Sequence, residues 1–190
     1  MFRRLLILVP AAVAALVAVA GPAAALTTYN AGPVGYRCTF PGISAQATPV
    51  TETFDGPSTV APGATFTITG ISGSLALSTA TRSLLIAIGY DSVRGSGAIP
   101  VTATNATPAG GTGGTVPTTT WGMPATIPFF GASQSFVAGA AGTITFSTGS
   151  PASFALQFHK ASNNTWTNWT MACTLSAGQI GTFSPTLPIL

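Results

Sequence analysis

Apolar and small polar residues alternate along most of this chain, and Gly or Pro interrupts the alternation at short intervals. The stretch GATFTITGISGSLALS, residues 63–78, shows the pattern most clearly. Phe66 and Ile68 point to one side of an extended segment, while Thr65 and Thr67 point to the other. Strands with one apolar and one hydroxyl-bearing face, joined by turns, predict an all-β fold.

Eight segments carry this strand pattern. They lie near residues 34–40, 47–54, 64–77, 91–104, 118–128, 141–148, 152–160 and 165–175. Eight short strands separated by turns are typical of a two-sheet sandwich.

One segment, STATRSLLIAIG at residues 78–89, departs from the two-residue period. Ser78 fits the cap of a helix, Leu84, Leu85 and Ile88 fall on one helical face, and Gly89 fits its end. We expect a short helix that crosses between the sheets. A buried strand over residues 84–88 is the alternative.

Residues 105–117, NATPAGGTGGTVP, combine four glycines with two prolines and no aromatic residue. Such a segment buries little apolar surface, so we expect a long mobile loop. Since neither side of it is large enough for a separate domain, residues 26–190 are expected to form a single domain.

The first 25 residues have the composition of a secretory signal peptide. MFRR supplies basic residues, LLILVPAAVAALVAVAG an apolar run, and Ala23 and Ala25 the small residues of a cleavage site. An uncleaved membrane anchor is the alternative, but Pro10 interrupts the run. The expected product is secreted, extracellular or associated with the cell envelope, and is not stably inserted in the membrane after processing.

Charge is nearly absent from the expected mature chain. Only four basic and three acidic side chains remain after residue 25, which gives a formal net charge of +1. A polyanion-binding patch is therefore not expected, and nucleic acid is excluded as a partner class.

The two cysteines lie near opposite ends of the expected mature chain. Cys38 shares its strand face with Tyr36 and Phe40, and Cys173 shares its face with Met171. In an exported protein such a pair predicts a disulfide that staples the first strand to the last.

Several short motifs resemble those of a family of secreted actinobacterial immunoglobulin-like β-sandwich domains of unknown function. The motifs are YRCTFPG at residues 36–42, FDGPSTVAPGATFTI at residues 54–68 and the closing ACTL at residues 172–175. The resemblance implies an immunoglobulin-like two-sheet sandwich, and it brings no catalytic residue with it.

Groups for catalysis are scarce. His159 alternates outward from Phe154, Leu156 and Phe158, so we expect it to be solvated. Glu52 and Asp55 are close enough in sequence to suggest glycoside hydrolysis or calcium binding, but further carboxylates are missing nearby. We therefore expect no catalytic residue, no metal site and no cofactor.

Residues suited to ligand binding are more plentiful than residues suited to catalysis. Trp166 takes the outward parity in KASNNTWTNWT, with Asn164 and Asn168 nearby. An exposed indole flanked by amides suits stacking on a sugar ring, although a Trp packed against its cross-strand neighbour is the simpler interpretation. For Trp121, and for the consecutive residues Phe129 and Phe130, the same two interpretations, exposure for binding or packing, are open.

The sequence thus predicts a secreted, non-catalytic structural or interaction module whose partner is an unknown protein or a cell-wall polysaccharide. A carbohydrate-binding module that uses Trp166, Asn164 and Asn168 is the alternative, and a secreted hydrolase is a third possibility.

Overall fold

The computed structural model describes residues 25–110, 113–119 and 121–190. The predicted signal peptide lies outside the described residues except for Ala25. The strands and the helix of the described residues are β1 Leu26–Phe40, β2 Ile43–Pro57, β3 Thr65–Ala76, α1 Thr79–Ala87, β4 Tyr90–Ser96, β5 Val101–Thr104, β6 Ala106–Gly110, β7 Gly114–Val116, β8 Thr126–Gly131, β9 Gln134–Ala138, β10 Gly142–Thr148, β11 Ala152–Lys160, β12 Thr165–Leu175 and β13 Leu187–Ile189.

Eight of these strands close into an antiparallel barrel. Their order is β2, β1, β12, β11, β4, β7, β8 and β3, and β3 also pairs with β2 to complete the ring. The all-β class is confirmed, but the predicted immunoglobulin-like two-sheet sandwich is wrong. Alternating apolar and polar positions occur equally in a sandwich and in a barrel, so the pattern did not reveal the closure.

Closure depends on strands that bend and approach each other closely. Register shifts interrupt the pairing of β1 with β2 and of β2 with β3, and such bulges increase strand twist. At the β2–β3 seam, a Cβ atom on Gly73 would overlap the Phe129 ring and the carbonyl oxygen of Thr51. Only glycine lets these segments come together here.

Side chains fill the inside of the barrel, as expected for eight strands. Tyr36, Phe40, Phe129, Phe154 and Phe158 are all at most 1% exposed and belong to one buried cluster. The phenol oxygen of Tyr36 lies within hydrogen-bonding distance of a hydroxyl and a carbonyl oxygen in this interior, so its polar end is satisfied. These buried side chains make the barrel interior a packed core.

A second core lies beyond one end of the barrel. The ends of β1, β2 and β3 extend past it, β9 and β6 add to β3, and a separate sheet of β13, β10 and β5 packs against them. Phe54, Phe146 and Phe183 form its aromatic centre, with ring centroids about 5 Å apart. At this end, residues of the two sheets share one buried cluster.

The predicted helix is confirmed as α1. Ser78 caps it by accepting a hydrogen bond from the backbone N–H of Thr81 at 3.1 Å, and Ile88 ends it before Gly89. It connects β3 and β4, which belong to the same sheet, so it does not cross between two sheets. In the described residues, no helix has the length and apolar character that a membrane span requires.

The predicted mobile loop at residues 105–117 is largely wrong. Its residues 106–110 form β6, which pairs with β9, and its residues 114–116 form β7, which completes the barrel between β4 and β8. Pairing of this kind uses backbone groups and needs no apolar side chain. Gly114 is required because a Cβ atom there would lie 2.6 Å from the Phe130 carbonyl oxygen.

Other strand boundaries also differ from the prediction. The expected strand at residues 91–104 is divided between β4 in the barrel and β5 in the smaller sheet. The strand expected at residues 118–128 starts only at Thr126, and β9 and β13 were not predicted. The other predicted strands lie within or close to β1, β2, β3, β10, β11 and β12, with residues 34–40 forming the second half of β1.

Cys38 and Cys173 form the predicted disulfide, with an S–S distance of 2.06 Å. The two residues are direct neighbours in the pairing of β1 with β12. The disulfide therefore fastens the first strand to the last barrel strand, across a sequence separation of 135 residues.

Replacing both cysteines by alanine should lower the free energy of unfolding by about 2–5 kcal/mol, because the unfolded chain loses a constraint on a very long loop. Urea unfolding of the wild type and the double variant measures the difference. A variant with unchanged stability would contradict this role for the disulfide.

Candidate functional site

Three neighbouring barrel strands, β4, β11 and β12, carry a three-by-three group of outward-facing side chains, which we call the outer array. The core-facing residues of these strands, such as Phe158 and Val93, alternate with them, and two members of the array, Ser92 and His159, are themselves covered by other residues on the outside. The outer array consists of Ser92, Arg94 and Ser96 on β4, His159, Gln157 and Ala155 on β11, and Trp166, Asn168 and Thr170 on β12.

His159 occupies one end of the outer array and is only 4% exposed. Its Nδ1 lies 2.6 Å from Asp91 Oδ1, and its Nε2 lies 2.9 Å from Asn164 Oδ1. The prediction of a solvated histidine is wrong. Parity placed the ring correctly on the outside of the strand, but other side chains cover it there.

A bulge in β4 brings Asp91 to this histidine. His159 pairs with Ser92 and the next residue, Lys160, pairs with Tyr90, so Asp91 is the extra residue on β4. A bulged residue is released from strict alternation, and its side chain can be turned towards a neighbour. Local irregularity thus creates the His159–Asp91 contact.

Two indole rings flank the imidazole. The ring centroid of Trp121 lies 4.6 Å from that of His159, and the centroid of Trp166 lies 5.0 Å from it. Trp121 remains 69% exposed, so much of its indole faces solvent. It is the most exposed aromatic side chain among the described residues.

Trp166 is half-buried and is contacted on more than one side. The guanidinium carbon of Arg94 lies 4.0 Å from the centre of its ring, which is the distance of a cation–π contact. Arg94 Nε donates to Gln157 Oε1, and Gln157 Nε2 donates to Asn168 Oδ1, both at 2.9 Å. These bonds hold Arg94, Gln157 and Asn168, the middle row of the outer array, in one arrangement.

The three residues predicted to bind a sugar therefore lie around one site. Asn164 and Trp166 contact His159, and Asn168 lies one step further along β12. The sequence did not reveal that Trp121 joins them, because its approach depends on the pairing of distant strands. The nearest signal was the unusual position of a Trp between Gly- and Pro-rich segments.

A shallow cleft of about 270 Å³ continues the outer array beyond this aromatic end. The outer-array row of Ser96, Ala155 and Thr170 lines it, together with Gln157 and Asn168. Small residues in this row leave room where the neighbouring rows carry long side chains.

The geometry does not favour proton transfer at His159. A Ser-His-Asp site needs a free Nε2 beside a serine hydroxyl, whereas Nε2 here faces Asn164 Oδ1. The nearby Ser92 is fully buried, and its hydroxyl donates to the carbonyl oxygen of Thr119 at 2.9 Å. The His159–Asp91 pair orders the surface between the two indoles.

Protonation of His159 is coupled to both of its contacts. The hydrogen bond with Asp91 raises the pKa of His159, burial opposes the rise, and the bond with Asn164 adds to it. A doubly protonated ring donates to both oxygens, whereas the neutral ring donates to only one. The charged form of His159 is the form that satisfies Asp91 and Asn164 together.

Glu52 and Asp55 do not form the carboxylate pair that their spacing suggested. Glu52 points into the protein interior and is 2% exposed, whereas Asp55 lies on the outside and accepts a hydrogen bond from Thr28. Neither carboxylate oxygen of Glu52 has a hydrogen-bond partner among the described residues, and burial raises its pKa to about 8. The described residues also contain no group of three or more His, Cys, Asp or Glu side chains placed to hold a metal ion.

A second surface depression lies on β1, β2, β3 and β8. Phe130, 51% exposed, borders this groove of about 510 Å³, while its neighbour Phe129 is fully buried, as expected for adjacent strand residues. The rest of its border includes Asn30, Thr51 and Ser72, and Glu52 contributes no accessible carboxylate oxygen. This groove has an exposed aromatic ring but lacks the ordered cluster of the outer array.

Comparison with protein families identifies a family for this chain. A family model described as a family of unknown function, DUF6801, matches residues 35–184. The match bears out the resemblance to a family without assigned function, and it carries no information on an actinobacterial source. No curated protein and no solved structure matches the chain.

Replacing Asp91 by Asn should lower the pKa of His159, because the hydrogen bond to the carboxylate is the main cause of its rise. NMR titration measures this directly, since the chain has a single histidine. Stability from the raised pKa is complete below about 6.5 and is lost as pH rises through the folded value, so the variant should lose this pH dependence. D55N is the matched control, and equal pKa values in wild type and D91N would contradict the contact.

Replacing Glu52 by Gln should remove another pH dependence. The pKa of Glu52 is 4.5 ordinarily and about 8 when folded, so stability is greatest below pH 4.5 and falls as pH rises through 8. The shift corresponds to about 5 kcal/mol, and E52Q should gain stability over wild type by up to this order at pH 9. Urea unfolding from pH 4 to pH 9 tests the difference, and parallel curves for both proteins would contradict it.

Proposed function

Because the chain belongs to DUF6801, a family of unknown function, we propose its role from its own surface: a secreted, non-catalytic interaction module that acts at or outside the cell envelope. The outer array, together with Trp121, Asp91 and Asn164, is its binding surface.

The observation that carries this proposal is the exposed indole of Trp121 beside an ordered polar network. Large aromatic side chains dominate binding energy where they can be covered by a partner. Here Trp121 is 69% exposed, while Asp91, Asn164 and Trp166 hold the His159 ring against which it packs. A rigid aromatic surface of this kind loses little conformational entropy on binding.

Export is supported by two independent features. The first 25 residues have the composition of a signal peptide. The Cys38–Cys173 disulfide is of a kind that persists in oxidising compartments. A function at the cell envelope follows as part of the proposal.

A non-catalytic role is supported by the state of the ionisable groups. Both ring nitrogens of His159 are occupied by Asp91 and Asn164, and the carboxyl group of Glu52 is enclosed in the interior. Neither group is placed to exchange a proton with a molecule on the surface.

Replacing Trp121 by Ala should reduce binding of the protein to envelope material of its source organism by roughly tenfold or more, the usual effect of losing a central aromatic contact. Co-sedimentation over a range of protein concentrations gives the apparent affinity. Phe130→Ala is the control, because Phe130 is also exposed but lies outside the outer array. Equal binding by wild type and W121A would contradict the proposed surface.

A further inference from the structure

We infer that the ligand of the outer array is an uncharged glycan chain that lies along β11, with one sugar ring on Trp121 and a later ring in the cleft over Ala155. This inference rests on the proposed function, and it names the chemistry of the partner and its path across the surface.

The path follows from the register of the three strands. His159, Gln157 and Ala155 occupy successive outward positions on β11, each flanked by one outward residue of β4 and one of β12. Outward residues on a strand are two positions apart, so the row from His159 to Ala155 is about 13 Å long. This length exceeds that of a single sugar ring, so a chain fits the surface better than a monosaccharide.

Trp121 supplies the apolar contact at one end of the path. A pyranose ring has a face of C–H groups that packs on an indole, while its hydroxyls project from the ring edge. Trp121 presents an indole that is 69% exposed and makes an edge-to-face contact with His159, with ring centroids 4.6 Å apart. Trp166, for which the sequence offered sugar stacking only as the alternative to cross-strand packing, has the Arg94 guanidinium 4.0 Å from its ring centre and therefore offers less free ring.

Fixed hydrogen-bonding groups follow in the middle of the path. Gln157 bonds to both Arg94 and Asn168, so its two partners are held in position beside β11. Asn168 is exposed, and its amide group can both donate and accept. Sugar hydroxyls, which also donate and accept, complement such groups without a charge.

The cleft ends the path with a space of about 270 Å³. Ser96 and Thr170 add hydroxyls to its lining, and Ala155, a small exposed side chain, lies between them on β11. Replacing Ala155 by a large residue would fill this space without touching Trp121, since the two lie at opposite ends of the path.

The balance of charge argues against a polyanion. Asp91 and Arg94 contribute one carboxylate and one guanidinium, and each is already engaged within the cluster, by His159 and by Gln157 and Trp166. When His159 is protonated its charge faces the Asp91 carboxylate at 2.6 Å. A polyanion would need a surplus of accessible basic side chains, which this surface lacks.

The test separates a protein partner from a glycan partner whose sugars carry vicinal diols. Protein expressed from the whole chain is mixed with envelope material that is untreated, oxidised with periodate, which cleaves vicinal diols of sugars, or digested with proteinase and then washed. We expect Trp121-dependent binding to fall at least tenfold after periodate and to persist after proteinase. Ala155→Trp should weaken binding to untreated material by severalfold, while F130A should leave it unchanged.

The outcomes distinguish failure of the glycan inference from failure of the proposed function on which it rests. Trp121-dependent binding that survives periodate but is lost after proteinase would overturn the glycan inference and leave the interaction module intact, with a protein as partner. Absence of any Trp121-dependent binding would overturn both. Full affinity of A155W for untreated material would overturn the path through the cleft.

Discussion

Closure of the barrel is the constraint on which the candidate site depends. β2 returns to pair with β3, and β1 pairs with β12 beside the Cys38–Cys173 disulfide, so each of the eight barrel strands is held on both sides. The outer array lies on β4, β11 and β12, directly next to the disulfide-bonded seam. Side chains on strands paired on both sides keep their relative positions, which a binding surface built from three strands requires.

Much of the local structure was predictable, because local rules govern it. Alternation identified the larger strands, Ser78 marked the start of α1, and the parity of Cys38 and Cys173 directed both sulfurs inward. The closure was not predictable, since a barrel strand and a sandwich strand obey the same two-residue period. The segment at residues 105–117 was misjudged for a different reason: β6 and β7 are held by backbone pairing, to which side-chain composition is a poor guide.

In the candidate site, too, some features follow from local periodicity and others depend on how distant strands pair. Outward parity on β12 correctly grouped Trp166 with Asn168, and the adjoining turn supplied Asn164. The burial of His159 depends on a bulge at Asp91 and on Trp121, which reaches it from a segment remote in sequence. Periodicity holds no information on either feature. Alternation itself separates Glu52 from Asp55, because an offset of three residues along β2 places Glu52 inward with Phe54 and Asp55 on the outer face.

Native-state hydrogen exchange tests the central claim, that the sheet is closed, most directly. In a closed barrel the amides of β2 and β3 that pair along residues 50–53 and 72–75 have no free edge, so they should exchange only through global unfolding, with the same free energy as amides between β11 and β12. Fast local exchange along β2 and β3, with β11 and β12 still protected, would show an open sheet and contradict the account.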